Sequence, residues 1–182
     1  MNLPNHHLVE MISAETLKHR VDELVEEMSS TLASDNLVIV GVLRGSFMFL
    51  ADLVRALNRH QMHPRIDFMT LGSYGSGTVS SGNVRILKDV SVDLDQADVL
   101  LVDDILDSGR TLRFAVRHVM NKGAKQVHTC CLLDKPARRM VEITADFKGF
   151  EVPDTFVVGY GLDYDSHYRE LPYIGEVVHQ DA

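Results

Sequence analysis

The segment Val99-Leu-Leu-Val-Asp-Asp-Ile-Leu-Asp-Ser-Gly-Arg-Thr-Leu112 constrains this chain more than any other. It opens with an apolar run, read here as a strand over Asp98–Val102. Two carboxylates, Asp103 and Asp104, follow at the carboxyl end, then a small-residue turn and a helix from about Thr111 to Asn121. Open α/β sheets bind ligands at the carboxyl ends of their strands. The turn Asp107–Thr111 would present backbone N–H groups at a helix N-terminus, a ready anion site, and Gly109 lets a ligand approach the backbone. Ser108 and Thr111 add hydroxyl donors. Asp103 and Asp104 offer up to four acceptor oxygens, suited to a sugar diol or to Mg²⁺. Taken alone, the acid pair is equally an acidic turn capping a helix.

The flanking pattern supplies the rest of a sheet. Ser13–Ala33 carries Leu17, Val21, Leu24, Val25, Met28 and Leu32 at helical spacing, with Ser13 as the N-cap. Leu37–Val42 is a continuous apolar run, as a strand covered on both faces should be. Phe47–Asn58 reads as a helix with a wide apolar face, available to the core or to a second subunit. Strands are expected at Arg65–Leu71, Val84–Val92 and Gln126–Leu133, with Gly123 closing the helix before the last of these. Thr144–Val178 holds short β-like runs broken by Gly and Pro. Strands alternating with helices predict an α/β fold with a mainly parallel sheet.

A chain of 182 residues fits one domain at roughly 100–200 residues per domain. It carries 18 basic and 26 acidic residues, a net charge of −8, which disfavours binding to a nucleic-acid backbone. Cys130 and Cys131 are adjacent in a predicted strand, so they point to opposite faces and stay unpaired, as in a reducing cytoplasm. No apolar run approaches the ~20 residues that cross a bilayer. A P-loop, a dinucleotide Gly pattern, a zinc-binding His cluster and a Cys-x-x-Cys pair are all missing from the sequence.

The 99–112 string resembles the phosphoribosyl-pyrophosphate (PRPP) signature of type I phosphoribosyltransferases. Val42-Leu-Arg-Gly-Ser46, Leu71-Gly-Ser-Tyr-Gly75, Leu132-Leu-Asp-Lys-Pro136, Asp154-Thr-Phe-Val-Val-Gly-Tyr-Gly-Leu-Asp-Tyr164 and Tyr168-Arg169 narrow the resemblance to the bacterial hypoxanthine/guanine branch. They stand in family order and cover nearly the whole chain. The resemblance implies a single phosphoribosyltransferase domain over 1–182. Its core would span about 37–135, with a small hood of short strands from 1–12 and 136–182. It implies a cytoplasmic, Mg²⁺-dependent enzyme, a homodimer or homotetramer, that joins hypoxanthine or guanine to PRPP. The products would be IMP or GMP and pyrophosphate.

Residue roles follow from the same resemblance. Asp107, Ser108, Gly109, Arg110 and Thr111 would hold the 5′-phosphate, and Asp103 and Asp104 the ribose hydroxyls. The family usually has Glu where this chain has Asp103, one methylene shorter. Asp107 matches the acid/base beside the purine imidazole nitrogen; its simpler role is a helix cap. Lys135 matches the donor to the 6-oxo group, and an ammonium, having no acceptor, favours an oxo over an amino substituent. Phe156 matches the aromatic that stacks on the base, with Ile105 on the other side and carbonyls near Val157 and Asp163 meeting a 2-amino group. Arg44 and Gly45, after an expected cis bond at Leu43–Arg44, and Arg169 match the pyrophosphate contacts. Asp163, with Asp103 and Asp104, matches the metal site. Gly72–Asn83 matches the active-site loop, with Ser73 and Tyr74 at its working end, and helix Phe47–Asn58 is the expected contact face between subunits. The alternative from another functional class is a PRPP- or nucleotide-binding regulator of the same fold. Its need for a basic face sits poorly with a net charge of −8.

Overall fold

The structure, a computed structural model, describes residues 6–32, 34–73 and 84–179, and Ser73 by its backbone alone. The elements in chain order begin with β1 (His6–Ile12), α1 (Ala14–Ser29), β2 (Leu37–Leu43) and α2 (Phe47–Arg59). They continue with β3 (Arg65–Ser73), β4 (Val84–Lys88), β5 (Asp98–Leu106) and α3 (Arg110–Asn121). The last are β6 (Gln126–Asp134), β7 (Phe147–Glu151), β8 (Val157–Val158) and β9 (Ile174–His179). Tyr74 and the loop through Asn83 lie outside the described residues.

Strands β4-β3-β2-β5-β6-β7 form the main sheet in that order, parallel except for β4 at its edge. Alternation along β2 explains its unbroken apolar run. Leu37 and Ile39 face the cluster formed with α1 and α2, while Val38, Val40 and Val42 face the cluster formed with α3. Strand β5 repeats this, with Leu100 and Val102 on one side and Val99 and Leu101 on the other. Strand β6 sends Cys130 and Cys131 into different clusters, and both thiols are free and buried. Gly41 is required where β2 passes α2, because a Cβ there would sit 2.5 Å from Leu50 Cδ2.

Helices α2 and α3 thus leave neighbouring strands β2 and β5 toward opposite faces. That makes the β2/β5 boundary the point where strand order reverses, and a crevice opens there at the carboxyl ends. The two strands pair only as far as Gly41↔Val102. Beyond that point β5 keeps β6 as partner through Leu106↔Asp134. Hence Asp103 and Asp104 lie within β5, which runs to Leu106, four residues past the end at Val102 that the sequence suggests. The continuing β6 ladder holds them extended, and the departure of β2 opens their other edge.

Two further boundaries differ from expectation. Helix α1 starts where predicted, its Ser13 side chain accepting from the Thr16 N–H at 3.2 Å, but stops at Ser29. There the Ser29 and Ser30 hydroxyls donate to the carbonyls of Glu26 and Glu27, which competes with the helical ladder. Strand β4 ends at Lys88, not Val92, because Asp67 takes the N–H groups of Ser91 (2.5 Å) and Val92 (2.9 Å). The apolar face of α2 (Phe49, Leu50, Leu53, Ala56, Leu57) is buried inside the chain in a cluster shared with α1. That face therefore serves the core, the first of the two uses the sequence left open, while Phe47 at the start of the helix stays 37% exposed.

The chain ends meet in a second, antiparallel sheet of order β1-β9-β8. The expected hood from 136 onward includes too much, since β7 pairs with β6 in the main sheet through Cys130↔Phe147 to Asp134↔Glu151. Gly149 makes this possible, its Cα lying so close to β6 that a Cβ would be 2.4 Å from the Leu132 carbonyl oxygen.

Candidate active site

The crevice is a cavity of about 270 Å³. Its walls are the end of β2 with Arg44, the acid pair and Ile105 of β5, and the loop Asp107–Gly109 with Thr111. Gly109 caps α3 in the left-handed region at φ +81°, and a Cβ on it would lie 2.5 Å from Ile143. Conformation and packing therefore both demand glycine there. The N–H groups that open α3 have no partner within the helix, so they face the crevice as donors.

The back of this loop is tied down by residues the sequence did not flag. Met140 and Val141 donate their N–H groups to the Ser108 carbonyl at 3.0 and 3.3 Å. Arg139 donates to the carbonyls of Leu106 (2.9 Å) and Asp107 and pairs with the buried carboxylate of Asp134. Arg138 Nε stands 3.0 Å from Asp107 Oδ1, in ion-pair range but not aligned as a hydrogen bond, and Arg138 Nη1 reaches Asp154 at 3.3 Å. Asp107 is thus not the cap: α3 has Gly109 as its N-cap residue, with no side-chain cap bond.

Lys135 follows β6 directly, and its N–H bonds to the Leu106 carbonyl at 3.0 Å, which puts it beside the loop. The side chain is 5% exposed and its ammonium donates to the Thr155 carbonyl. Burial lowers its pKa, and the carboxylates of Asp107 and Asp154 oppose that. Phe156, next to Thr155, is 52% exposed and packs edge-to-face with Tyr164, at 5.4 Å between centroids. It is not the ordinary core residue that Thr-Phe-Val-Val could have held. Val157 is buried in β8, paired with Glu176.

A second group gathers at the other end of the acid pair. The peptide Leu43–Arg44 is cis, as expected. Gly45 lies against Asp104 so closely that a Cβ would be 1.6 Å from Oδ2. Gly161, at φ +104°, packs on the Gly45 carbonyl in the same way, at 2.1 Å. Arg169 donates to the Gly161 carbonyl and pairs with Asp163 Oδ1 at 2.6 Å, while Asp163 Oδ2 accepts from the Ser166 N–H at 2.8 Å. Arg44 is exposed at the cavity rim. Burial raises the pKa of Asp103 well above the carboxylate range, and the charge of Asp104 adds to this. Asp104 is also raised by burial, less so because N–H groups and Arg169 favour its charge.

The structure therefore lines one crevice with Asp107, Ser108, Gly109, Thr111, the acid pair and Arg44; Gly45, Lys135 and Arg169, which pairs with Asp163, adjoin these residues, while Arg110 lines a separate groove along α3. Ser73 ends β3, paired through its backbone with Val84, while Tyr74 lies outside the described residues. Sequence reading missed Asp134, Arg138, Arg139 and Gly161. Of these, only Gly161 carries a local signal, as a glycine between aromatic and apolar neighbours.

Residues 9–165 match the phosphoribosyl transferase domain family. The chain is 47% identical to the hypoxanthine phosphoribosyltransferase of Escherichia coli strain K12 over 176 residues, covering 94% of this chain and 97% of that one. It is also 48% identical over 165 residues to the bifunctional TilS/HprT protein of Listeria monocytogenes. There it matches 91% of itself but spans only a quarter (25%) of the longer relative. Among solved structures, a hypoxanthine-guanine phosphoribosyltransferase from Bacillus anthracis superposes with a TM-score of 0.87 at 42% identity, covering 93% of this chain and 98% of the other. With the signature loop at the switch point of the same fold, this chain belongs to the hypoxanthine phosphoribosyltransferase family.

Proposed function

We propose that this protein transfers the 5-phosphoribosyl group of PRPP to hypoxanthine, and to guanine, giving IMP or GMP and pyrophosphate. One observation carries the reading. The anion-binding loop and the acid pair line one crevice, and a buried lysine is hydrogen-bonded through its backbone to Leu106 beside that loop, with Lys135 and Asp107 close enough to feel each other's charge. The N–H groups and hydroxyls of 108–111 take the 5′-phosphate, and Asp103 and Asp104 face the ribose. Lys135 donates to the 6-oxo group, and the open face of Phe156 receives the purine. Asp107 handles the imidazole proton as the base attacks the anomeric carbon and pyrophosphate leaves. Arg44, Gly45 and Arg169 hold the departing pyrophosphate. The developing oxocarbenium character calls for fixed charges and positioning more than for covalent chemistry.

The residues fit Mg²⁺. Two buried carboxylates raised in pKa by burial, and in Asp103 also by its neighbour, are stabilised by a cation. Mg²⁺ sites commonly use one or two carboxylates together with substrate oxygens and water. Asp163 already serves Arg169 and Ser166, and with Asp103 and Asp104 it would help to hold the ion. When bound, the ion neutralises charge on the leaving group. The regulator reading gains no observation of its own. Among the described residues, no helix is long and apolar enough to cross a membrane.

The test is PRPP and Mg²⁺ with each purine base in turn, followed by ultraviolet absorbance. Hypoxanthine and guanine should turn over and adenine should not. Asp107→Asn should retain PRPP binding and lose about 10²–10⁴-fold in kcat, the usual range for a general acid–base group. No product from any base, or full turnover by the Asn variant, overturns the assignment.

A further inference from the structure

The largest cavity described is not the crevice. It holds about 480 Å³ along the outer face of α3, lined by Arg110, Arg113, Phe114, Arg117 and Asn121, with Val84 of β4 opposite. Among the described residues, Arg44, Arg110, Arg113 and Arg117 are the arginines whose guanidinium has no hydrogen-bond or ion-pair partner. Arg44 is at the crevice, and the other three share this groove. In a chain with eight more acids than bases, three neighbouring arginines without carboxylates are a marked departure.

The placement also opposes local helix chemistry. Arg110 and Arg113 stand in the first turns of α3, where the helix dipole disfavours cations. Arg113 and Arg117 are four apart, a spacing at which like charges repel. The buried face of the helix (Leu112, Ala115, Val119) does not need them. A local rule broken without structural gain marks a site under another demand. His118 also lines the groove but differs from the arginines, being held by Asp89 at 2.9 Å, and Lys122 is held by the same carboxylate at 3.1 Å.

We propose that the α3 groove is a second anion site, separate from the crevice, that takes a linear oligophosphate, free or as the tail of a nucleoside triphosphate. Arginine forks bind phosphate oxygens in pairs, and the three forks start along about 10 Å of helix at 1.5 Å per residue. That spread suits a row of phosphates better than a single one. An open groove with a volume near 480 Å³ suits a small molecule, and the net charge of −8 disfavours a long polyanion. Phe114 stacks on His118 with rings 2° from parallel, so one face of the phenyl is covered. The other face of Phe114 is where a base would sit.

Isothermal titration of the whole chain with inorganic triphosphate, and separately with ATP, tests this against R113E/R117E. Both positions are exposed, and a thermal melt with R113Q/R117Q as a milder second variant controls for folding. The wild type should bind one equivalent more than R113E/R117E, or bind that equivalent about thirtyfold tighter or more. Turnover of PRPP by the variant should stay within about twofold. Equal affinity for the two probes places recognition in the phosphates alone. Tighter ATP binding, lost in Phe114→Ala, adds the base, and both outcomes support the site. Identical titrations of wild type and variant overturn it. So does a change of assembly mass in sedimentation with unchanged titration, since the arginines then face another protein surface.

Discussion

Arg139 provides the sharpest test of how the phosphate loop is held. Its guanidinium spans the Asp134 carboxylate and the carbonyls of Leu106 and Asp107, immediately behind the loop. In Arg139→Met the stem packing is kept and the charge is lost. Removing one partner of a buried ion pair costs about 3–5 kcal/mol. Asp134, at 9% side-chain exposure, retains Lys148 at 3.4 Å, which places the expected loss near the low end, about 3 kcal/mol. At roughly 2–4 °C per kcal/mol for a chain of this size, the melting temperature should fall by about 6–12 °C. Because Arg139 also anchors two carbonyls of the loop, the KM for PRPP should rise at least tenfold while the KM for hypoxanthine changes little. Arg139→Lys separates the two effects. A lysine can still pair with Asp134 but lacks the fork that reaches both carbonyls. It should recover most of the stability and little of the PRPP affinity. Calorimetry and steady-state kinetics on the two variants decide the matter. A destabilised Met variant with wild-type KM for PRPP would refute the buttress, and an unchanged melting temperature would refute the ion-pair argument.

Gly45→Ala places a Cβ 1.6 Å from Asp104 Oδ2, so the carboxylate must swing away. With reacting groups misplaced by about an ångström, turnover should drop roughly 10²-fold with the melt nearly unchanged; full activity would mean Asp104 need not stay there. Lys135→Met removes the donor proposed for the 6-oxo group. Discrimination against adenine, which a buried hydrogen bond can raise to about 10⁴–10⁵, should collapse by two orders of magnitude or more in kcat/KM ratios. Asp67 is buried, and burial alone would raise its pKa, but N–H donors from Val92, Phe68 and Ser91 bring it below the usual value. A lowered carboxylate stabilises the fold above its unfolded pKa of about 3.9, and that contribution disappears as pH falls through the folded value. Asp67→Asn should therefore cost about 1–3 kcal/mol at pH 7, and its deficit should shrink below about pH 4; a gap constant down to pH 3 argues against the linkage.

What was legible in the sequence follows a physical division. The strand, turn and helix of 98–121 are contiguous, so apolar runs, a small-residue turn and helical spacing announced the loop and its anion-binding end. The end of β5 was placed at Val102 because the apolar run stops at Asp103 and Asp104. Only the continued pairing with β6, and the early exit of β2, shows why two acids can stay in an extended strand. The supports of the loop were invisible for a different reason. Arg139 acts on carbonyls about thirty residues earlier, and Gly161 admits Gly45 from more than a hundred residues away. Neither distance leaves a period in the sequence. The division also explains the architecture of the site. The residues assigned to phosphate come from one short loop, where main-chain N–H groups suffice. The groups assigned to the base and to pyrophosphate, Lys135, Phe156, Arg44 and Arg169, come from separate elements. Selectivity for one purine therefore depends on how β6 and the segment around Phe156 are set against that loop. Substitutions that shift this packing should alter the choice of base before they alter PRPP binding.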